Sequence, residues 1–358
     1  MFSHVHIQNL RQYPGRVVTL KGWVVSAVPA GEGGMLLTVR DGTGQVRCIV
    51  SSRDIPPDQW DAARNLTPES SLAVTGKVLD GAAGQELKVT GIGLYQAAPP
   101  LVASPSPEAH WHLWARTPEG QALLRIRNAA GKDIRDYFDW NGYVQVEMAE
   151  RTVARGFGPG AACRLDAAAP ALGKVFSIAP VQRDSGGGPA AGWDVEARIA
   201  FAGIEDAMNV AEDFLSYLVH RLATEQADDL RTLGRNPVPL NFVKAPFPRP
   251  AHDDPPSPAA PERPVFLNRP PALPADALVR RDAQGRALSF DIFAPEGFGW
   301  IGAGAEYETG LETLSRQLRE SGGPVPDWYL DLSRYGAAPR AGFAVSLDLF
   351  LRWFAGSR

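Results

Sequence analysis

His110 and His112 are separated by one residue, a spacing at which two imidazole rings can contribute to a metal site. Structural zinc sites take four protein ligands and catalytic sites take three, usually through nitrogen or sulfur. No third ligand lies near this pair in the sequence, and Cys48 and Cys163 are too far apart to form a zinc motif. We therefore expect the histidines to be structural or incidental, and each cysteine to be a buried or incidental thiol.

The run Gly186–Gly188 has the composition of a loop that cradles phosphate. Such a loop normally opens a helix, whose first backbone amides bind the anion. Here Pro189 follows directly and no helical pattern begins, so the likeness is superficial. The Gly-x-Ser-x-Gly pattern of a serine nucleophile elbow does not occur either.

Short strand patterns fill residues 15–97. They are rich in β-branched residues and alternate in polarity, which is typical of half-buried strands. The strands are predicted at 17–25, 35–40, 45–50, 71–78 and 86–90, with a helical interruption at 57–65. Asp41–Gly44 predicts a hairpin turn, and the prolines of 98–108 predict a linker. Five strands in this space predict a small OB-type β-barrel, in a domain that we place at residues 1–103.

A second domain is expected over residues 104–358. Helical periodicity predicts helices at 119–141, 203–226 and 308–320, and strands are expected at 143–148, 173–179, 194–201 and 287–293. Strands with helices between them predict an α+β fold around an antiparallel sheet. Residues about 246–274 form a Pro-rich insertion, which we interpret as an extended linker rather than as a PxxP ligand for a partner.

Residues 328–352 carry a recognisable pattern, WYLDLSRYGAAPRAGFAVSLDLFLR. It is similar to the end of class II asparaginyl-tRNA synthetases, which read W-Y-L-D-L-R-R-Y-G-x-V-P-H-x-G-F-G-L-G-x-E-R-L. The likeness extends over nearly the whole chain, through Gly22–Val24, Val39–Gly42 and the junction His112–Pro118. The resemblance implies an OB-fold, anticodon-binding-like domain and a class II catalytic-type domain whose family reaction is ATP-dependent ligation of asparagine to tRNA.

The resemblance also implies where ATP would bind. Arg183 matches the arginine that grips the α-phosphate, a task suited to a planar guanidinium that binds phosphate through two hydrogen bonds. Glu196 matches a second residue of the ATP site. Two further positions differ from the family pattern: Ser185 replaces a glutamate, and Ala197 replaces the phenylalanine that stacks on adenine.

Residues 291–307 resemble the family segment D-L-L-A-P-E-G-Y-G-E-I-I-G-G-S-Q-R. Asp291 keeps one of two carboxylates that support Mg²⁺, and Trp300 replaces the other. Magnesium binds oxygen ligands, and an indole offers none. Tyr307 replaces the arginine that reads the amino-acid side chain, and Leu349 replaces the arginine that holds the outer phosphates.

These substitutions predict that no catalytic set is intact. Adenylate formation depends on positioning and on neutralising developing charge, so we expect asparagine activation to be lost and the chain to act as a binding or regulatory pseudoenzyme. One alternative is an ATP-dependent ligase of altered substrate, in which Arg183 and Asp291 still handle ATP and Mg²⁺. Another is an RNA-binding accessory protein that uses the OB domain. No cofactor is expected, except ATP and Mg²⁺ if activity is retained.

The OB domain departs from the family as well. The family stacks an anticodon base on an aromatic ring in the strand before the turn, and the corresponding Met35–Leu37 has no ring. Trp23 is expected in the barrel core rather than as a stacking platform. Residues 1–103 hold nine Lys or Arg against eight Asp or Glu, so charge gives no support for tRNA binding.

Composition bounds the remaining expectations. The 358 residues are 44% hydrophobic and 21% charged, with a net charge of −4, which is ordinary for a globular protein. No apolar run is long enough to span a membrane, and residues 1–7 do not resemble a signal peptide, so we expect a cytoplasmic protein. Residues 138–148 resemble motif 1 of class II synthetases, which implies a homodimer through this region; a protein partner is the other expected interaction.

Overall fold

The computed structural model describes residues 5–81, 84–99, 109–147, 151–153, 163–184, 189–253, 262–273, 276–321 and 327–357. For residues 151–153, 163, 183–184, 189–191 and 327 it describes the backbone alone. The chain divides into two compact units, Met1–Pro105 and Ser106–Arg358. Part of the Pro-rich insertion, 254–261 and 274, lies outside the described residues, as do Ser185, Gly186–Gly188 and Met148.

The first unit is a closed five-stranded barrel with strand order β1-β2-β3-β5-β4. Its strands are β1 (Val17–Pro29), β2 (Gly34–Arg40), β3 (Gln45–Ser51), β4 (Ser71–Gly81) and β5 (Gly84–Gln96). Helix α1 (Pro57–Arg64) lies between β3 and β4, and a 3-10 helix, Ile7–Gln12, precedes the barrel. The OB-type barrel expected from the alternating strand patterns is confirmed.

Alternate residues of each strand fill the barrel interior. On β1, Leu20 and Val24 are fully buried, whereas Trp23 is 39% exposed on the outer face. The expectation that Trp23 belongs to the core is therefore wrong. The guanidinium of Arg40 lies 5.1 Å from the centre of the Trp23 ring, and Arg40 also binds Glu69 through two hydrogen bonds of 2.9 and 2.7 Å.

The second unit is built around a sheet with the strand order β10-β11-β12-β13-β9-β8-β6, and β7 also pairs with β8. The strands are β6 (Val144–Gln145), β7 (Arg151–Val153), β8 (Lys174–Asp184), β9 (Pro189–Ala200), β10 (Val265–Asn268), β11 (Ser289–Ala294), β12 (Gly299–Tyr307) and β13 (Arg340–Ser346). The antiparallel prediction holds from β10 to β8. At the edge it needs correction, because β6 and β7 pair with β8 in parallel. The strand expected at 143–148 contains only two paired residues.

The helices of this unit are α2 (Trp111–Trp114), α3 (Pro118–Trp140), α4 (Cys163–Leu172), α5 (Ile204–Glu225), α6 (Ala227–Thr232), α7 (Leu311–Ser321), α8 (Asp331–Arg334) and α9 (Leu347–Ala355). Two 3-10 segments, Val238–Phe242 and Asp327–Leu330, complete the described elements. Thr117 caps the N-terminus of helix α3, since its side chain accepts a hydrogen bond from the Gly120 amide, a common way to satisfy the first unpaired amides of a helix. The predicted helices agree with α3, α5 and α7 within three residues. None of the described helices is both long and apolar enough to cross a membrane.

One face of the sheet carries the main core. Phe343 of β13 and Ala197 of β9 pack there with Phe138 of α3 and Phe214 of α5. Phe138 stacks on Phe176 of β8 with ring centres 4.5 Å apart. Since neighbouring residues of a strand point to opposite faces, the residues next to these in sequence face the other side, where a polar cluster collects.

Candidate functional site

Asp291 and Trp300 face each other across the β11–β12 hairpin. The strand register shifts between Ile292 and Phe293, and Phe293 pairs with Trp300. The Trp300 Nε1 donates a hydrogen bond to Asp291 Oδ1 at 2.8 Å. Burial raises the pKa of the Asp291 carboxyl above its ordinary value, and the hydrogen bond from Trp300 offsets this only in part.

The described residues of this hairpin do not fit a magnesium ion bound in the family manner. A ligating carboxylate must present its lone pairs to the metal, and one oxygen of Asp291 already accepts the indole hydrogen. Trp300 itself supplies a donor where an oxygen ligand is needed. Within the described part of the chain, no group of three His, Cys, Asp or Glu residues is placed to hold a metal ion.

Leu349 and Asp348 lie in the first turn of α9. Leu349 packs against the main core, and its amide is capped at 3.4 Å by the Ser346 hydroxyl. Asp348 accepts hydrogen bonds of 2.6 Å from Arg127 Nη1 of α3 and of 2.6 Å from the Trp193 amide of β9. The N-terminus of this helix therefore carries a carboxylate and an apolar side chain, which do not attract an anionic phosphate.

Tyr307 is fully buried at the end of β12 and does not line an open pocket. The guanidinium of Arg198 lies 4.9 Å from the centre of its ring, which is a cation–π distance. Arg198, on β9, is 1% exposed and donates to Asp166 Oδ1 of α4 at 2.8 Å. Gly342 of β13 makes room for this arginine, because a Cβ on Gly342 would lie 2.8 Å from Arg198 Cδ.

Asp166 joins the two sides of this cluster. Its second oxygen, Oδ2, accepts a hydrogen bond from the Tyr329 hydroxyl at 2.9 Å. That hydroxyl in turn accepts one from Arg340 Nη2 at 3.3 Å. Asp166, Tyr329 and Arg340 are each at most 1% exposed. Burial, together with the adjacent Asp166 carboxylate, raises the pKa of Tyr329 well above its ordinary value, so the phenol stays protonated and donates.

The expected ATP-site residues lie along β8 and β9. Glu196 is 4% exposed, with Oε2 3.6 Å from Arg198 Nη2. Ala197 is on the opposite face, in the main core. Arg183 lies in β8, where its backbone pairs with Val153 and Ala190; its side chain, like the whole of Ser185, lies outside the described residues.

Asp166, Arg198, Tyr329 and Arg340 are not among the site residues predicted from the sequence. One signal was available: the strand predicted at 194–201 alternates charged and apolar residues. Charged side chains on an interior strand are tolerated when they are paired inside the protein, so this pattern predicts internal partners. Their identity was not readable, because Asp166 is 32 residues from Arg198 and 163 residues from Tyr329.

Residues 18–94 match the family described as an OB-fold nucleic acid binding domain. Over 98% of this chain and 94% of the relative, the sequence is 30% identical to an asparagine--tRNA ligase of Roseiflexus castenholzii. It is 31% identical to the asparagine--tRNA ligase of Pelotomaculum thermopropionicum, over 98% of this chain and 95% of that one.

The fold is similar to that of asparaginyl-tRNA synthetase from Pyrococcus horikoshii complexed with asparaginyl-adenylate. The TM-score is 0.90, the identity is 24%, and the match covers 100% of this chain and 96% of the other. The structure of the Entamoeba histolytica asparaginyl-tRNA synthetase with asparaginyl-adenylate gives a TM-score of 0.84 at 19% identity, covering 100% of this chain and 95% of that one.

Proposed function

This chain belongs to the asparagine--tRNA ligase family, and from that premise we propose that it has lost amino-acid activation and acts as a binding or regulatory protein. The hydrogen bond from Trp300 to Asp291 is the observation that carries this proposal. It engages one of the two oxygens of the carboxylate that the family uses for Mg²⁺, and it does so from the position of the second carboxylate.

Two further contacts support the proposal. The position of the phosphate-binding arginine is Leu349, packed on the core, and the neighbouring Asp348 is engaged by Arg127. The position that reads the amino-acid side chain is the buried Tyr307, covered by Arg198. Removing one preorganised charge contact from a transition state typically costs about 3 to 4 kcal/mol, and losing a metal costs several kcal/mol more. Together these losses make asparagine activation negligible.

An ATP–pyrophosphate exchange assay with each of the twenty amino acids tests the proposal. We expect no exchange above the level of an Arg183→Ala variant, which removes the arginine matched to the α-phosphate grip and so reports contaminating activity. Exchange with asparagine at an ordinary turnover, abolished in Arg183→Ala, would show a working ligase and refute the proposal.

The principal alternative is an ATP-dependent ligase, either of the family substrate or of an altered one. The similarity to asparagine--tRNA ligases over 98% of the chain favours this alternative, as does the retention of Arg183 and Asp291. ATP-dependent thermal stabilisation that is lost in Arg183→Ala, with exchange driven by a single amino acid, would establish it.

An RNA-binding role of the OB domain is the other alternative, supported by the match of residues 18–94 to a nucleic acid binding family. Trp23 is exposed but carries Arg40 over its ring, and Arg40 is neutralised by Glu69. Binding of unmodified tRNA that weakens steeply with salt would support this role, because phosphate contacts release counterions.

We also propose that the chain forms a homodimer through residues 138–148, the segment that resembles motif 1. In the described part of this segment, Trp140 is 68% exposed and Val144 is 45% exposed. Large apolar side chains on one edge are typical of surfaces that pack against a partner. A protein partner that binds the dimer would supply the regulatory role.

A further inference from the structure

A buried carboxylate is held by three side chains on the face of the sheet opposite the main core. Asp166 accepts hydrogen bonds from Arg198 at 2.8 Å and from Tyr329 at 2.9 Å, and Arg340 donates to Tyr329 from behind at 3.3 Å. Arg198 and Tyr329 are on β9 and the 3-10 segment Asp327–Leu330, whereas Asp166 is on α4. The two donors to Asp166 therefore lie on a strand of the sheet and on the 3-10 segment, whereas the acceptor lies on a separate helix.

Helix α4 has little apolar anchorage of its own. Leu165 and Ala169 pack with Val175 in a small cluster that is separate from the main core. Pro170 lies inside the helix, where it cannot donate the backbone hydrogen bond that the Asp166 carbonyl would accept. The polar contacts of Asp166 are thus a principal attachment of this helix to the sheet.

The charges of the pocket also favour a carboxylate. Arg198 and Arg340 bring two positive charges, and Glu196, 3.6 Å from Arg198, brings one negative charge. Without Asp166 the buried cluster would keep an excess of positive charge, which is costly in a low-dielectric interior. A guanidinium and a phenol hydroxyl aimed at one point make a carboxylate-binding pocket.

We propose that Arg198, Tyr329 and Arg340 form a binding site for a small carboxylate, and that the Asp166 side chain occupies it as an internal ligand. This inference is independent of whether the chain activates amino acids, and its test uses no ATP. Because Asp166 is tethered, its effective concentration exceeds that of an external carboxylate in the millimolar range. Replacing Asp166 by glycine removes its CH₂–COO⁻ group and leaves a space that matches acetate.

The test is thermal unfolding of the full chain carrying Asp166→Gly, in sodium acetate and in sodium chloride at equal ionic strength. We expect the variant to unfold at a lower temperature than the parent in chloride. Acetate should raise its Tm saturably, by about 3 to 5 °C at a concentration ten times the dissociation constant. Trimethylacetate, which is too bulky for the space, should have no such effect, and the unsubstituted chain should respond equally to acetate and chloride.

Asp229→Gly is the matched control, because Asp229 also binds a guanidinium, that of Arg125, but at a site where the arginine side chain is 48% exposed. It should show no preference for acetate. If Asp166→Gly does not fold in chloride, refolding in acetate should recover it. The proposal is overturned if acetate and chloride act alike on Asp166→Gly, if trimethylacetate replaces acetate, or if the variant refolds in neither salt.

Discussion

Replacing Trp300 by glutamate should create a magnesium site beside Asp291. The new carboxylate would stand close to Asp291, whose Oδ1 now lies 2.8 Å from the indole nitrogen. Two like charges 4 Å apart repel by about 4 kcal/mol at an effective dielectric constant of 20. Because residue 300 is 39% exposed, screening reduces this to about 1 to 2 kcal/mol. Without metal, we expect the free energy of unfolding of Trp300→Glu to be lower than that of the parent chain by this amount. Mg²⁺ at ten times its dissociation constant should raise it by about 1.4 kcal/mol.

The assay is thermal unfolding in a Mg²⁺ titration at constant ionic strength. At about 2 to 4 °C per kcal/mol, Trp300→Glu should gain about 3 to 6 °C, whereas the parent chain should gain nothing specific to Mg²⁺. Trp300→Gln is the matched control: it removes the indole and keeps the length of glutamate without its charge, and it should not respond. The reasoning is refuted if Trp300→Glu does not respond, or if the parent chain shows the same response.

Two further predictions concern the same sheet and its edge. Asp291→Asn should be more stable than the parent chain at pH 7. Burial raises the pKa of Asp291 in the folded state, so its ionised form opposes folding, and the difference from the parent should vanish as the pH falls below about 4. A pH series of urea unfolding measures this, and an asparagine variant less stable than the parent at pH 7 would contradict it. Val144→Arg should convert the proposed homodimer to a monomer in light scattering after gel filtration, because it places a charge in the exposed apolar edge; an unchanged mass, or a parent chain that is already monomeric, would disprove the interface.

The barrel could be predicted from the sequence because the alternation of polar and apolar residues within each strand is a local signal. Alternation on β1 gives the strand and also its phase: Leu20 and Val24 point inward, so Lys21 and Trp23 share the outer face. Trp23 was expected in the core because its ring is large and apolar, whereas its position in the alternation of β1 places it on the outer face. A residue's phase in the strand decides its side of the sheet, and a ring on the outer face can still be covered, here by Arg40.

The polar cluster around Asp166 could not be predicted from the sequence, because its residues are far apart along the chain. Helix α4 carries Asp166 between small and apolar residues, and nothing local marks that carboxylate as buried. Its partners reach it through the order of the sheet, which places β9 beside β13 and brings Arg198 opposite Gly342. The same reason explains the parallel pairing of β6 and β7 with β8: strand order is a property of the whole fold, whereas periodicity is a property of a segment.

Trp300 and Tyr307 contact the charged groups beside them. Deleting one member of a buried polar pair normally leaves the other unsatisfied, at a cost of about 1 to 3 kcal/mol. Here Asp291 receives the Trp300 hydrogen bond, and Arg198 is engaged by Asp166 and covered by Tyr307. Among the described side chains of the site, Asp291 and Arg198 are thus each held by a neighbour. A single substitution releases one group but leaves the other engaged, so, under the proposed loss of amino-acid activation, Trp300→Glu is expected to gain magnesium affinity without gaining amino-acid activation.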